Sequence, residues 1–263
     1  MFPTLFTIGG FTLHTYGLML LLAFAATLAW TWREARSKGL EAKLLFPGVA
    51  FALFLGAVLG GRLAAVPHNW DLFVEQPWSL LVGWRGDQSS LGAAGLSVIL
   101  AGGYMIWKRQ PLLMWLDAFA PGCALGAAIL RVGCFSAGCC YGCTCHLPWA
   151  VTFTHPDSLA PLHLPLHPTQ IYSIQGGLIS FGILLAMKKR FRVPGRLMGL
   201  FFCLYAVYRF IIDFYRLDHA PILGPLSMIQ IGLAVFFLAG VFLLLRPGKG
   251  EQAAQDTSGT PPE

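Results

Sequence analysis

Charge is scarce in this chain. Of its 263 residues only 11% are Asp, Glu, Lys or Arg, 56% are apolar, and the mean hydropathy is +0.64. Soluble domains carry about 25% charged residues, so the composition excludes that class and points to a multi-span α-helical membrane protein. No basic residue precedes the first apolar run, and no small-residue cleavage site follows it. That reads against a cleaved leader, with the first span serving as its own insertion signal. Lys and Arg are also missing throughout Ser136–Thr169. The net charge of +6 does not point to nucleic acid, because basic residues of membrane proteins gather in cytoplasmic loops.

What is present is apolar helix. Seven segments are long enough to cross roughly 30 Å of hydrocarbon at about 1.5 Å per residue. They lie near Tyr16–Trp32, Leu44–Val66, Leu91–Trp107, Trp115–Phe135, Gln170–Met187, Leu197–Tyr215 and Leu226–Leu245. Met1–Thr15, with Gly9-Gly10, reads as a short apolar lead-in that lies on the surface or re-enters. Residues from Pro247 on are polar and of low complexity, as in disordered tails. The expected architecture is an all-α integral membrane protein: a single seven-span domain over residues 1–246, with outer loops 67–90 and 136–169 and a cytoplasmic tail 247–263.

Orientation follows from the basic residues. Thirteen of the eighteen fall after spans one, three, five and seven: Arg33, Arg36, Lys38, Lys43, Lys108, Arg109, Lys188, Lys189, Arg190, Arg192, Arg196, Arg246 and Lys249. The positive-inside rule makes that side cytoplasmic, with the N-terminus outside and the C-terminus inside. The other five are all arginines, Arg62, Arg85, Arg131, Arg209 and Arg216, and all fall on the outer side. Arginine presents a planar fork that binds phosphate bidentately, whereas lysine is a point charge. Four of them, excluding Arg85, lie in or at the ends of apolar segments, where a phospholipid head group is the obvious anion. Arg209, Asp213 and Arg216 share a helix face at i, i+4 and i+7. Asp213 can neutralise one arginine and orient both, with Tyr205 and Tyr208 beside them. The competing reading is that each arginine snorkels to the interface or pairs locally.

The densest chemistry is the run from Ala128 to His146. It carries Arg131 inside an apolar helix, where a charge is costly and usually functional, and then Cys134, Cys139, Cys140, Cys143 and Cys145, five of the seven cysteines. Three fates are open for these thiols. They can form disulfides that pin a loop outside the cytoplasm. Cys140, Cys143, Cys145 and His146 can hold zinc. A thiolate beside Arg131, at Cys139, can act as acceptor or base. Cys123 and Cys203 read as small packed residues. Gly/Ala runs such as Gly56–Gly61 and Gly122–Ala128 let helices approach closely.

Several strings occur in a telling order: Leu13-His14-Thr15-Tyr16-Gly17-Leu18, Gly60-Gly61-Arg62, Asp117 to Pro121, Arg131-Val132-Gly133, His167-Pro168-Thr169-Gln170-Ile171-Tyr172, and Tyr205 to Arg216. Over roughly residues 8–245 this order resembles the prolipoprotein diacylglyceryl transferase family. The resemblance implies an enzyme of the bacterial inner membrane, active at its outer face and needing no metal or other cofactor. Such an enzyme moves a diacylglyceryl group from phosphatidylglycerol to the thiol of a lipobox cysteine and releases glycerol-1-phosphate. By position Arg131 and Arg209 match the family's two phosphate arginines. Tyr16, Gly17, Arg62, Gln170, Tyr172 and Asp213 match other motif positions, with Asp213 where Glu is usual. His14 and His167 are motif positions that can line the cavity, whereas His68, His155, His163 and His219 read as ordinary loop residues.

The departures are specific. The family's Ser-Phe-His-Gly-Gly string reads Ser89-Ser90-Leu91-Gly92-Ala93-Ala94-Gly95-Leu96, with Ala93 in place of the proton-transfer histidine. Cys134 and Cys139 stand where Asn and Glu are usual. His167 is then the first substitute base, Arg131, Arg209, His167 and Cys139 the expected catalytic set, and Tyr16, Gly17, Arg62, Cys134, Gln170, Tyr172, Asp213 and Arg216 the expected substrate-binding set. Alternatives are the same scaffold acting on another acceptor or lipid through its cysteines, and a thiol- or zinc-binding membrane protein without transfer.

Overall fold

The computed structural model describes residues 2–9, 11–75, 78, 89–217, 221–223 and 226–247. Arg85, His219, half of loop 67–90 and the tail from 248 lie outside the described residues. The chain opens with a hairpin, β1 (Thr4–Ile8) against β2 (Phe11–His14), rather than the single lead-in segment expected. At its turn Gly9 takes φ 55°, a left-handed conformation that costs glycine little.

Helices follow: α1 (Thr15–Ser37), α2 (Gly48–Leu63), α3 (Trp70–Glu75), α4 (Ser90–Trp107), α5 (Leu112–Ala137), α6 (Thr169–Met187), α7 (Arg196–Asp213) and α8 (Met228–Leu245). By length and composition five stretches suffice to cross a membrane: Thr15–Ser37, Ala42–Leu63, Leu112–Ala137, Thr169–Met187 and Met228–Leu245. The chain is a multi-pass membrane protein. Leu91–Trp107 is a shorter apolar candidate. Helix α7 carries three charged residues, Arg196, Arg209 and Asp213, along its length.

By internal packing the chain forms two compact units, Ala35–Trp115, and Met1–Glu34 with Leu116–Glu263. In the first, α2 and α4 meet through small residues. A Cβ on Gly60 would collide with the Gly92 carbonyl oxygen, and one on Gly56 with the Ser97 backbone, so the two backbones touch. Ser97 Oγ donates to Leu53 O at 2.9 Å across the same seam.

In the second unit α5 is central. Against α1, Thr27 Oγ1 donates to Gly122 O at 3.1 Å. Against α6 and α7, Ala120, Ala124, Leu184, Leu197, Met198 and Phe201 form a buried cluster. Asp117, buried on α5, accepts from the backbone N–H groups of Gly195 (2.8 Å) and Met198 (2.9 Å). It thereby caps the start of α7 from a neighbouring helix. Helices α7 and α8 touch at Gly199 and Gly240. Helix α8 starts in a capping box, Ser227 Oγ accepting from Gln230 N and Ser227 N donating to Gln230 Oε1.

The segment between α5 and α6 is more ordered than its prolines suggest. Strands β3 (Val151–Thr152) and β4 (Pro165–Leu166) pair, and Phe153, Ala160 and Leu166 make a small core with Tyr141 and Val151 packed on it. After α7 a last hairpin, β5 (Pro221–Leu223) with β6 (Leu226–Ser227), leads into α8.

Candidate functional site

The second unit gathers most of the expected site at one corner, where α5 and α7 end and α6 begins. Arg131 is six residues before the end of α5 and half-buried. Its Nη1 lies 3.8 Å from Cys134 Sγ, and Cys140, Tyr205 and Arg216 are within its electrostatic reach. Arg209 is buried on α7 and feels both Arg131 and Arg216. Three cations in one apolar corner repel one another, so the arrangement favours an anion between them. The built-in counter-charge is Asp213, buried, with Oδ1 3.8 Å from Arg209 Nη2 and Oδ2 accepting from Ser227 Oγ at 2.6 Å.

The chain then folds back over this corner. Gly138 (φ 75°) and Cys140 (φ 60°) both adopt left-handed backbone. At Cys140, which has a Cβ, that costs about 1 kcal/mol. The first turn of α6 holds the turn in place: Thr169 Oγ1 donates to Cys140 O (2.6 Å) and Gln170 Nε2 to Cys139 O (2.9 Å). Gln170 is buried, and its Oε1 has no partner among the described residues. The strip beyond joins the end of α7, with Cys143 N donating to Tyr215 O (2.9 Å) and Gly142 N to His167 O (3.1 Å). A cavity of about 310 Å³ opens here, lined by Cys140, Tyr141, Arg216 and Leu217.

All seven cysteines are free thiols. Cys134, Cys139 and Cys140 place their sulfurs within 4.8 Å of one another, whereas Cys143, Cys145 and His146, the alternative zinc ligands with Cys140, join no such group among the described residues. Cys140 accepts hydrogen bonds from the other two thiols and faces Arg131 and Arg216, which holds its thiol far below the usual range. Cys139 donates to both neighbours and is pushed well above it. Of the two, Cys140 is the one whose surroundings favour thiolate. Tyr16, at the start of α1, faces the three thiols and Arg131. Gly17 beside it borders open space.

A second polar chain lies alongside. Trp149 Nε1 donates to Tyr172 OH at 2.8 Å, Tyr172 OH sits 3.3 Å from His167 Nδ1, and the His167 ring lies 5.1 Å from that of Tyr215. Trp149, Thr169, Ser227 and Tyr215 escaped the sequence reading. Thr169 lies within the string His167 to Tyr172 and Tyr215 within Tyr205 to Arg216, whereas Trp149 and Ser227 lie in no motif string. Arg62 occupies the last turn of α2, in the other unit. Ala93 sits in the first turn of α4, behind the Ser89 cap, whose Oγ accepts from Gly92 N at 3.2 Å.

The family model described as prolipoprotein diacylglyceryl transferase matches residues 3–246. The chain belongs to this family. It is accordingly an enzyme of the transferase type. Proteins named phosphatidylglycerol–prolipoprotein diacylglyceryl transferase resemble it along most of their length. That of Geobacter sulfurreducens is 32% identical over 91% of this chain and 92% of its own. That of Dehalococcoides mccartyi is 31% identical over 97% of both. That of Polynucleobacter asymbioticus is 35% identical over 93% of this chain and 95% of its own. Arg131, Arg209 and the string His167-Pro168-Thr169-Gln170 lie at the corner described, and the thiols occupy the same corner.

Proposed function

We propose that this protein transfers the diacylglyceryl group of phosphatidylglycerol to the cysteine thiol of a prolipoprotein at the outer face of a bacterial inner membrane. The convergence of Arg131, Arg209 and Arg216, with Asp213 paired to Arg209, carries this reading. Seven spans, with the N-terminus outside and residues 1–246 as one membrane domain, place that corner at the outer surface, where both substrates arrive. Arg62 is assigned to the lipid on its match to the family's motif.

In the reaction the acceptor thiolate attacks the glyceryl carbon bonded to the phosphate oxygen. An S–C bond forms, that C–O bond breaks, and glycerol-1-phosphate leaves with the bond's electron pair. Arg131 and Arg209 stabilise charge on the phosphate as the bond breaks. The acceptor's proton needs a base, and Ala93 offers none. His167 takes that role, its Nδ1 oriented by Tyr172 OH, which Trp149 anchors in turn. Gln170, buried and with Oε1 lacking a partner among the described residues, is assigned to the lipid on its match to the family's motif. No cofactor enters the scheme.

The test is transfer in proteoliposomes containing phosphatidylglycerol and a lipobox peptide, with lipidated peptide followed by mass spectrometry. Arg131→Ala and Arg209→Ala should each lower the rate by about 10²–10³-fold. His167→Ala should do likewise, and His167→Gln should not restore it. Peptide lipidated equally by all variants would refute the proposal.

A further inference from the structure

The transfer chemistry leaves the three thiols without a task. Cys134 comes from the last turns of α5, and Cys139 and Cys140 from the turn that follows. Their sulfurs already lie within 4.8 Å of one another. A trigonal metal site with metal–sulfur bonds of about 2.3 Å sets its sulfurs about 4 Å apart. Closing the gap takes small side-chain rotations and no movement of the backbone.

That backbone is fixed independently of the thiols. Thr169 and Gln170 grip the carbonyls of Cys140 and Cys139, Cys139 N donates to Cys134 O at 3.1 Å, and Gly138 supplies the left-handed turn. The ligands are therefore preorganised. No histidine or carboxylate joins the group among the described residues. Zinc favours four ligands. Thiolates alone select soft ions, and copper(I) accepts three.

Charge points the same way. Three thiolates around a monovalent ion carry two net negative charges, and Arg131 and Arg216 face the cluster with two positive ones. Arg131 Nη1, 3.8 Å from Cys134 Sγ, is placed to donate to a ligating sulfur, as second-shell groups of metal sites do.

We infer that Cys134, Cys139 and Cys140 form a three-thiolate site for a soft metal ion, copper(I) in the first instance. The metal site shares Arg131 with the phosphate role of the transfer reaction, while its three ligands take no part in that reaction.

The experiment uses the full chain in detergent, purified without reductant and titrated anaerobically with copper(I) against a chromophoric chelator. The expected result is one equivalent bound with thiolate-to-copper absorption in the near ultraviolet. Cys134→Ser, Cys139→Ser and Cys140→Ser should each weaken binding at least tenfold, and Cys143→Ser and Cys145→Ser should leave it within twofold. Folding of each variant is checked by its elution and helical circular dichroism. Equal binding by all five variants would overturn the inference. So would a disulfide among Cys134, Cys139 and Cys140, seen as maleimide-resistant thiols that become reactive on reduction.

Discussion

Ser227 Oγ donates a 2.6 Å hydrogen bond to Asp213 Oδ2, while the other carboxylate oxygen lies 3.8 Å from Arg209 Nη2. The residue that starts α8 therefore fixes the carboxylate that orients the arginine on α7. Replacing Ser227 with Ala removes both this bond and the α8 cap, and should cost about 1–2 kcal/mol. Transfer should fall as Arg209 loosens, and Ser227→Thr should retain most of both. Thermal unfolding in detergent and the proteoliposome assay check the two effects separately.

Arg131 offers a sharper test of geometry against charge. Arg131→Lys keeps the cation but loses the planar fork that meets two phosphate oxygens. Its transfer rate should stay within about tenfold of that of Arg131→Ala. Recovery to the wild-type rate would show that charge alone suffices.

The crossing of α2 and α4 gives a packing prediction. Gly60→Ala drives a methyl group into the Gly92 carbonyl, whereas a Cβ on Gly95 meets nothing within 4 Å. The first substitution should destabilise by about 1–3 kcal/mol, as overpacking does. The second should be neutral or slightly stabilising, since alanine favours helix. Melting temperatures of the two variants measure the contrast.

The thiols differ in their response to pH. Cys140 is held below the usual thiol range by the hydrogen bonds it accepts and by Arg131 and Arg216, and Cys139 is held above it. A lowered value means thiolate persists as pH falls. In metal-free protein, alkylation of Cys140 should continue at mildly acidic pH, and Cys139 should stay unreactive through neutral pH. Peptide mapping after iodoacetamide labelling across a pH series reads both. Parallel profiles for the two would contradict the assignment.

Asp117 tests how far one buried carboxylate organises the second unit. Its two bonds to Gly195 N and Met198 N replace the cap that α7 lacks in its own sequence. Asp117→Ala should lower stability by about 1–2 kcal/mol or more, given the burial of those N–H groups. Asp117→Asn, which keeps one acceptor, should lose less. Denaturant titration in mild detergent provides the measurement.

The long helices were legible because apolar runs and basic punctuation report burial in lipid directly. All seven expected segments begin within about four residues of a helix, α1, α2, α4, α5, α6, α7 and α8 in turn. Segment seven began at Leu226, but Leu226–Ser227 is strand and the helix waits for the capping box at Ser227–Gln230. The hairpin Thr4–His14 was missed although Gly9-Gly10 is a two-residue turn signal, because the surrounding residues are too uniformly apolar to show alternation. The arginines of α5 and α7 were found from charge placement alone. The thiol group was not: the zinc alternative joined Cys140 to Cys143, Cys145 and His146, and two left-handed residues instead turn Cys140 back onto Cys134. Backbone reversals of that kind leave little trace in spacing.

The hold on Cys139 and Cys140 has one more consequence. Thr169 and Gln170 bind their carbonyl oxygens, not their sulfurs. Main-chain anchors are indifferent to what the anchored residue carries. Position 139 is thus free to exchange a glutamate for a cysteine while the turn keeps its shape, and a lineage can try new chemistry at this corner without first having to invent a new loop.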